Sequence, residues 1–178
     1  MKTLCLALSL LCFSAMAESL PELYELSEGA TQAYAGLLPS GQNVVNQMYF
    51  TVIVESGGGK HDKQVNGPAR SLFQLEKATV NDIYFRYLSS RPKLKSALLS
   101  YAGISEAQVG KTPWTFVQSN PKFAAGIARL VYAMDRGKVP DEEESRAEYW
   151  KKAYQKGGAK GLSAEKAQKL FIEYTSSR

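Results

Sequence analysis

The chain has 178 residues, a formal net charge of +5, 44% hydrophobic residues and a single histidine. That length and apolar content suit one globular domain, and the composition excludes a disordered or disulfide-stapled chain. One histidine and two cysteines leave few soft ligands for a metal or thiol site.

Lys2, the apolar run Leu4 to Phe13 and the small-x-small segment Ala15-Met16-Ala17 have the layout of a signal peptide over residues 1–17. The run is shorter than the roughly 20 residues that a bilayer-spanning helix needs, so cleavage after Ala17 and no stable membrane span are expected. Both cysteines, Cys5 and Cys12, fall in this leader. A mature chain without disulfides fits export across a bacterial inner membrane, to the periplasm or beyond.

In chain order, Ser19 to Leu38 carries Leu23, Leu26, Ala30, Tyr34 and Leu37 at helical spacing, closed by Pro39-Ser40-Gly41. Gln42 to Glu55 predicts a second helix with Val44, Val45, Met48, Tyr49, Val52 and Ile53 on one face. Gly57-Gly58-Gly59 stops it, since each glycine costs about 1 kcal/mol relative to alanine inside a helix. Turn signals at His61-Asp62 and Asn66-Gly67-Pro68 predict a small β or loop insertion over residues 57–73.

Helices are expected again from Glu76, over Lys93 to Tyr101, and from a capping box at Ser105 to Gln108. Thr112-Pro113 and Asn120-Pro121 pair a capping residue with a first-turn proline. The second opens a helix with Phe123, Ile127, Leu130, Val131 and Met134 buried, ending at Gly137. Asp141 to Glu144 predicts a further capping box, leading through Tyr149, Trp150 and Tyr154 to Gly157-Gly158, and a last helix spans Ser163 to Tyr174. The fold class is α+β, mostly α, in one domain over residues 18–178.

The chemistry centres on Glu55. Cleaving a glycosidic bond requires a proton on the departing oxygen, and a glutamate keeps that proton near neutral pH only where apolar burial disfavours its charge. Glu55 ends a run of valine and isoleucine and opens onto glycines, the setting of a half-buried acid at a cleft edge. Asp62 and Glu76 are candidate second carboxylates. His61 has no partner histidine, and Gly57-Gly58-Gly59-Lys60 lacks P-loop spacing, so no metal, cofactor or nucleotide is expected.

Bases outnumber acids between residues 60 and 95, whereas residues 18 to 54 carry acids alone. A basic face beside the site would draw an anionic polymer. Cell wall suits an exported chain better than nucleic acid, for which no motif is present.

Four segments, in order, resemble the lysozyme-like superfamily, in particular bacterial and phage lytic transglycosylases and goose-type lysozymes. They are Glu55-Ser56 at a helix end, Gly67 to Gln74, Asn120 to Leu130, and Ala153-Tyr154-Gln155-Lys156-Gly157, which is similar to an Ala-Tyr-Asn-x-Gly segment. Ser71 stands where the family has glycine, and Gln155 replaces asparagine.

The resemblance implies a lysozyme-like helical domain that cleaves peptidoglycan strands with Glu55 as acid and then base. It implies Ser56 as local hydrogen-bonding support, and Ser56, Gln74, Tyr154 and Gln155 as the substrate-binding set, with Gln74 and Tyr154 on the N-acetyl sugar. With one acid, the expected product is a 1,6-anhydro-muramyl end. Two acids would make the protein a lysozyme-type hydrolase, and a module without activity would bind wall, a virion or a secretion machine.

Overall fold

The computed structural model describes residues 19–64, 66–135, 137–155 and 161–176. The expected leader over residues 1–17 and the expected stop at Gly157-Gly158 lie outside the described residues. Helix accounts for 64% of the structure and strand for 3%, with no sheet among the described residues, so the class is mostly α. The expected β insertion is reduced to the isolated bridges Lys63 to Arg70 and Arg70 to Leu75. Three left-handed residues, Asn66, Ser71 and Gln74, turn this segment back on itself before a ladder can extend.

Helix α1, Leu20–Gln32, begins at a complete capping box between Ser19 and Glu22. It stops six residues before the predicted end at Leu38. The chain leaves the helix so that Tyr34, fully buried, can donate its hydroxyl hydrogen to the Gly126 carbonyl at 3.1 Å, and Gly36 at φ +76° makes the turn.

Helix α2, Gln42–Ser56, is the centre of the fold. One apolar face was expected, but Phe50, Thr51 and Val54 are buried as well as Val44, Val45, Met48, Val52 and Ile53. The helix is enclosed because α1 packs on it, as do α8, Arg146–Ala153, and α9, Ala164–Ser176. Most of its buried polar groups are matched inside the protein, Gln47 Oε1 being left without a partner. Thr51 lies 2.6 Å from the Tyr132 hydroxyl, and Gln47 Nε2 donates to the same hydroxyl at 3.2 Å and to the Arg146 carbonyl at 3.3 Å.

Between these lie α3, Lys77–Asn81, a π-helical segment, Asp82–Tyr87, and α4, Pro92–Ala102. Then come α5, Glu106–Val109, α6, Pro113–Ser119, and α7, Pro121–Met134. The box at Ser105 and Gln108 forms as expected, and Asn120 Oδ1 accepts from the Phe123 backbone at 2.9 Å. Thr112 provides no side-chain cap; its hydroxyl donates back to the Val109 carbonyl.

Helix α7 ends at Met134 with Asp135 extended, short of Gly137. Residues 141–145 form bends rather than a capping box, and α8 starts at Arg146. In this stretch Lys138 pairs with Asp141 at 2.7 Å and Arg146 with Glu143 at 3.8 Å.

Most of the core is one apolar cluster joining α1, α2, α4 and α7. A second, smaller cluster gathers Phe50, Val54, Ala147, Trp150, Ala164 and Ala167 between α2, α8 and α9. Helices α4 and α7 approach closely at Gly126, where an added Cβ would meet Leu98 Cδ1 at 2.5 Å and the Tyr34 hydroxyl at 3.3 Å. Leu98 is fully buried and has little room to retreat. Gly126→Ala is therefore expected to lower stability by about 1–3 kcal/mol in urea unfolding, and an unchanged midpoint would contradict that packing.

Candidate active site

Glu55 occupies the last turn of α2 and is half-buried. The helix terminates because Gly57, Gly58 and Gly59 all adopt left-handed φ values, 62°, 72° and 87°, which a side chain would resist. The Gly57 and Gly58 amides both return to the Ile53 carbonyl, the second at 2.9 Å. The turn thus leaves Glu55 facing outward from the end of a buried helix, where the negative end of the helix dipole further disfavours a charged carboxylate.

Two neutral donors converge on one oxygen of this carboxyl group. Gln155 Nε2 lies 2.8 Å and Trp150 Nε1 3.1 Å from Glu55 Oε1. Burial raises the Glu55 pKa from the usual 4.5 to about 7, against the opposing effects of the Gln155 and Trp150 hydrogen bonds and the Lys151 charge. Because Oε1 already accepts two N–H groups, the acid proton resides on Oε2.

Glu55 lines a cleft of about 290 Å³ with His61, Lys63, Gln64, Ala69, Gln74, Glu76 and Gln155. Of the predicted residues, the structure thus brings Glu55, Gln74 and Gln155 together with Glu76. Asp62 is exposed and does not line the cleft. Glu76 precedes α3 in extended conformation, and its side chain does not cap the helix. A second cavity, about 400 Å³, lies between Leu88 and Glu106 and contains none of the candidate residues; size alone does not locate the chemistry.

Ser56 and Tyr154 act from behind the cleft. The Ser56 hydroxyl is fully buried, donates to the Val52 carbonyl at 2.5 Å and accepts the Gly59 amide at 2.7 Å. It secures the glycine turn and does not reach the cleft, which corrects its assignment to the substrate-binding set. Tyr154 donates to the Phe73 carbonyl at 2.8 Å. Its hydroxyl holds the segment that carries Gln74, an indirect role instead of the expected contact with an N-acetyl sugar.

Gln74 itself is left-handed at φ 45°. Its Nε2 donates to the Ser71 and His61 carbonyls at 3.0 and 3.3 Å, while its buried Oε1 has no protein partner. Ser71 takes φ 67° and accepts the Phe73 amide on its hydroxyl at 3.3 Å.

Trp150, which donates to the Glu55 carboxylate, is the residue of this site that sequence reasoning missed. Trp150 lies in α8 and Tyr154 just after its end, and their apolar spacing contains no sign that an indole N–H will meet a carboxylate. Among the described residues, no group of three or more His, Cys, Asp and Glu side chains is placed to hold a metal, and no helix is long and apolar enough to cross a membrane.

Compared with protein-family models, curated proteins and solved structures, the chain matches none. Functional reasoning therefore starts from the site.

The raised Glu55 pKa has a consequence for folding. A folded-state value near 7 against 4.5 means that the native protein binds this proton more tightly than the unfolded chain. The resulting stability is full below about pH 4.5 and is lost as pH rises through 7. Glu55→Gln, which removes the charge, should therefore unfold at higher denaturant than wild type at pH 8, by about 1–3 kcal/mol, and the difference should shrink toward pH 5. A pH-independent difference would contradict a buried, proton-binding Glu55.

Proposed function

We propose that this protein is an exported peptidoglycan-cleaving enzyme of lysozyme-like fold, a lytic transglycosylase that uses Glu55 as its single acid and base. The observation that carries the reading is Glu55 itself: a half-buried carboxyl at a cleft wall, its pKa raised by burial to about 7, with two neutral N–H donors on one oxygen. An acid in that range gives up and retakes a proton with little driving force in either direction, which a one-residue mechanism requires.

In this mechanism Glu55 delivers its Oε2 proton to the glycosidic oxygen between N-acetylmuramic acid and N-acetylglucosamine, and that bond breaks. The substrate acetamido oxygen stabilises the cation at the anomeric carbon. Glu55, now a carboxylate held by Gln155 and Trp150, takes the proton of the sugar's own 6-hydroxyl. That oxygen closes on the anomeric carbon to give a 1,6-anhydro end. Gln74 lines the cleft, and its buried, unpartnered Oε1 would have to turn outward to accept an acetamido N–H.

Cleavage of the leader after Ala17 would deliver the protein to the periplasm or the exterior. The bases of residues 60–95 would favour an anionic wall, and any secretion-machine or virion partner would act through that location.

One observation favours the alternative of a lysozyme-type hydrolase. Glu76 lines the same cleft as Glu55, and a second carboxylate can activate water.

Purified residues 18–178 are expected to release muropeptides from peptidoglycan, and Glu55→Gln to lower that release by at least about 10³-fold. Mass spectrometry should find anhydro ends, with Glu76→Gln retaining most activity. Reducing ends that disappear with Glu76→Gln would establish the hydrolase, and undiminished release by Glu55→Gln would refute both.

A further inference from the structure

The last helix, α9, packs against two neighbours of the acid. At the first, Ala164 and Ala167 share the small apolar cluster with Trp150 and Phe50. Phe171 extends that contact, its ring centroid 5.1 Å from Phe50 and 6.0 Å from Tyr49. Trp150 is the indole that donates to Glu55.

At the second, Tyr174 lies on the glycine turn. A methyl group on Gly58 would sit 2.9 Å from Tyr174 Cδ1 and 3.1 Å from Cγ, and one on Gly57 would sit 3.5 Å from the hydroxyl oxygen. Lys60, which ends the turn, places its ammonium 5.2 Å from the centroid of the same ring. Gly58 is thus restricted twice, by its left-handed backbone and by an aromatic ring that leaves no space for a Cβ. Where the ring covers Gly58, no room is left for a water molecule between them.

We propose that Tyr174 is a positioning residue for Glu55: its ring, seated on Gly57 and Gly58, holds the turn that ends α2 and shields the acid from water on the side facing α9. The inference rests on the reading of Glu55 as the acid, and it assigns to the C-terminal helix a part in the site that no motif of the cleft supplies.

The other groups acting on Glu55 are distributed over every neighbouring element. Trp150, Lys151, Tyr154 and Gln155 act from α8 and the turn after it, Tyr132 from α7, and His61, Lys63 and Glu76 share its cleft. Replacing Tyr174 leaves each of these residues in the sequence, and Tyr174→Phe separates loss of the ring from loss of the hydroxyl.

The test is a titration of the Glu55 carboxyl carbon by NMR in protein labelled at glutamate, with the signal assigned by its loss in Glu55→Gln. Tyr174→Ala is expected to lower the Glu55 midpoint by about one pH unit, which leaves about a fifth of the protonated acid at pH 7. The descending limb of muropeptide release against pH should move by the same amount. Tyr174→Phe, which keeps the ring, should restore both.

An unmoved midpoint in folded Tyr174→Ala would overturn the proposal. A lowered midpoint in a protein that releases no muropeptides at any pH would uphold the brace and refute the enzymatic reading. If circular dichroism shows that Tyr174→Ala does not fold, Tyr174→Leu, which retains apolar volume without the planar ring, undergoes the same titration with the same criteria.

Discussion

The interaction on which this structure depends is the desolvation of one carboxyl group at the end of a buried helix. Placing Glu55 there is unfavourable for its charged form, and the surroundings are arranged to offset only part of that cost. Two neutral donors, Trp150 and Gln155, stabilise the anion without supplying a full countercharge. An arginine in the same position would lower the pKa into the ordinary carboxylate range and leave no proton to deliver. Burial and partial hydrogen bonding together keep both protonation states accessible near neutrality.

Much of the remaining architecture serves that placement. Helix α2 can bury the apolar residues of more than one face because α1, α8 and α9 pack on it. The three left-handed glycines end it abruptly at Glu55, and Ser56 fastens the turn from inside through Val52 and Gly59. Tyr154 fastens the opposite wall through Phe73, which carries Gln74 into the cleft. Residues that resemble a sugar-binding motif thus divide into those that meet the cleft, Gln74 and Gln155, and those that hold it in shape, Ser56 and Tyr154.

Glu55 and the glycine turn were legible in the sequence because their signals are local: an apolar helical run, a carboxylate, and residues that cannot continue the helix. The caps at Ser105 and Asn120 were legible for the same reason. What escaped depends on distant partners. Trp150 meets Glu55 across 95 positions of sequence, and no periodicity of α8 encodes that. The burial of Phe50 and Val54 requires α8 and α9, which an isolated reading of Gln42 to Glu55 cannot include. The capping box expected at Asp141 does not form, and Asp141 pairs with Lys138 instead; α1 ends early, and Tyr34 beyond it reaches the distant Gly126 carbonyl. Competition between local and tertiary partners decided each case.

Acid chemistry at this cleft requires that Glu55 be proton-bearing near neutral pH in the free protein. The direct measurement is the titration of the wild-type Glu55 carboxyl by carbon NMR without substrate. An apparent midpoint near 7 is the expected result, and a midpoint near the usual 4.5 would contradict the account, because the acid would then be ionised before any glycan arrived.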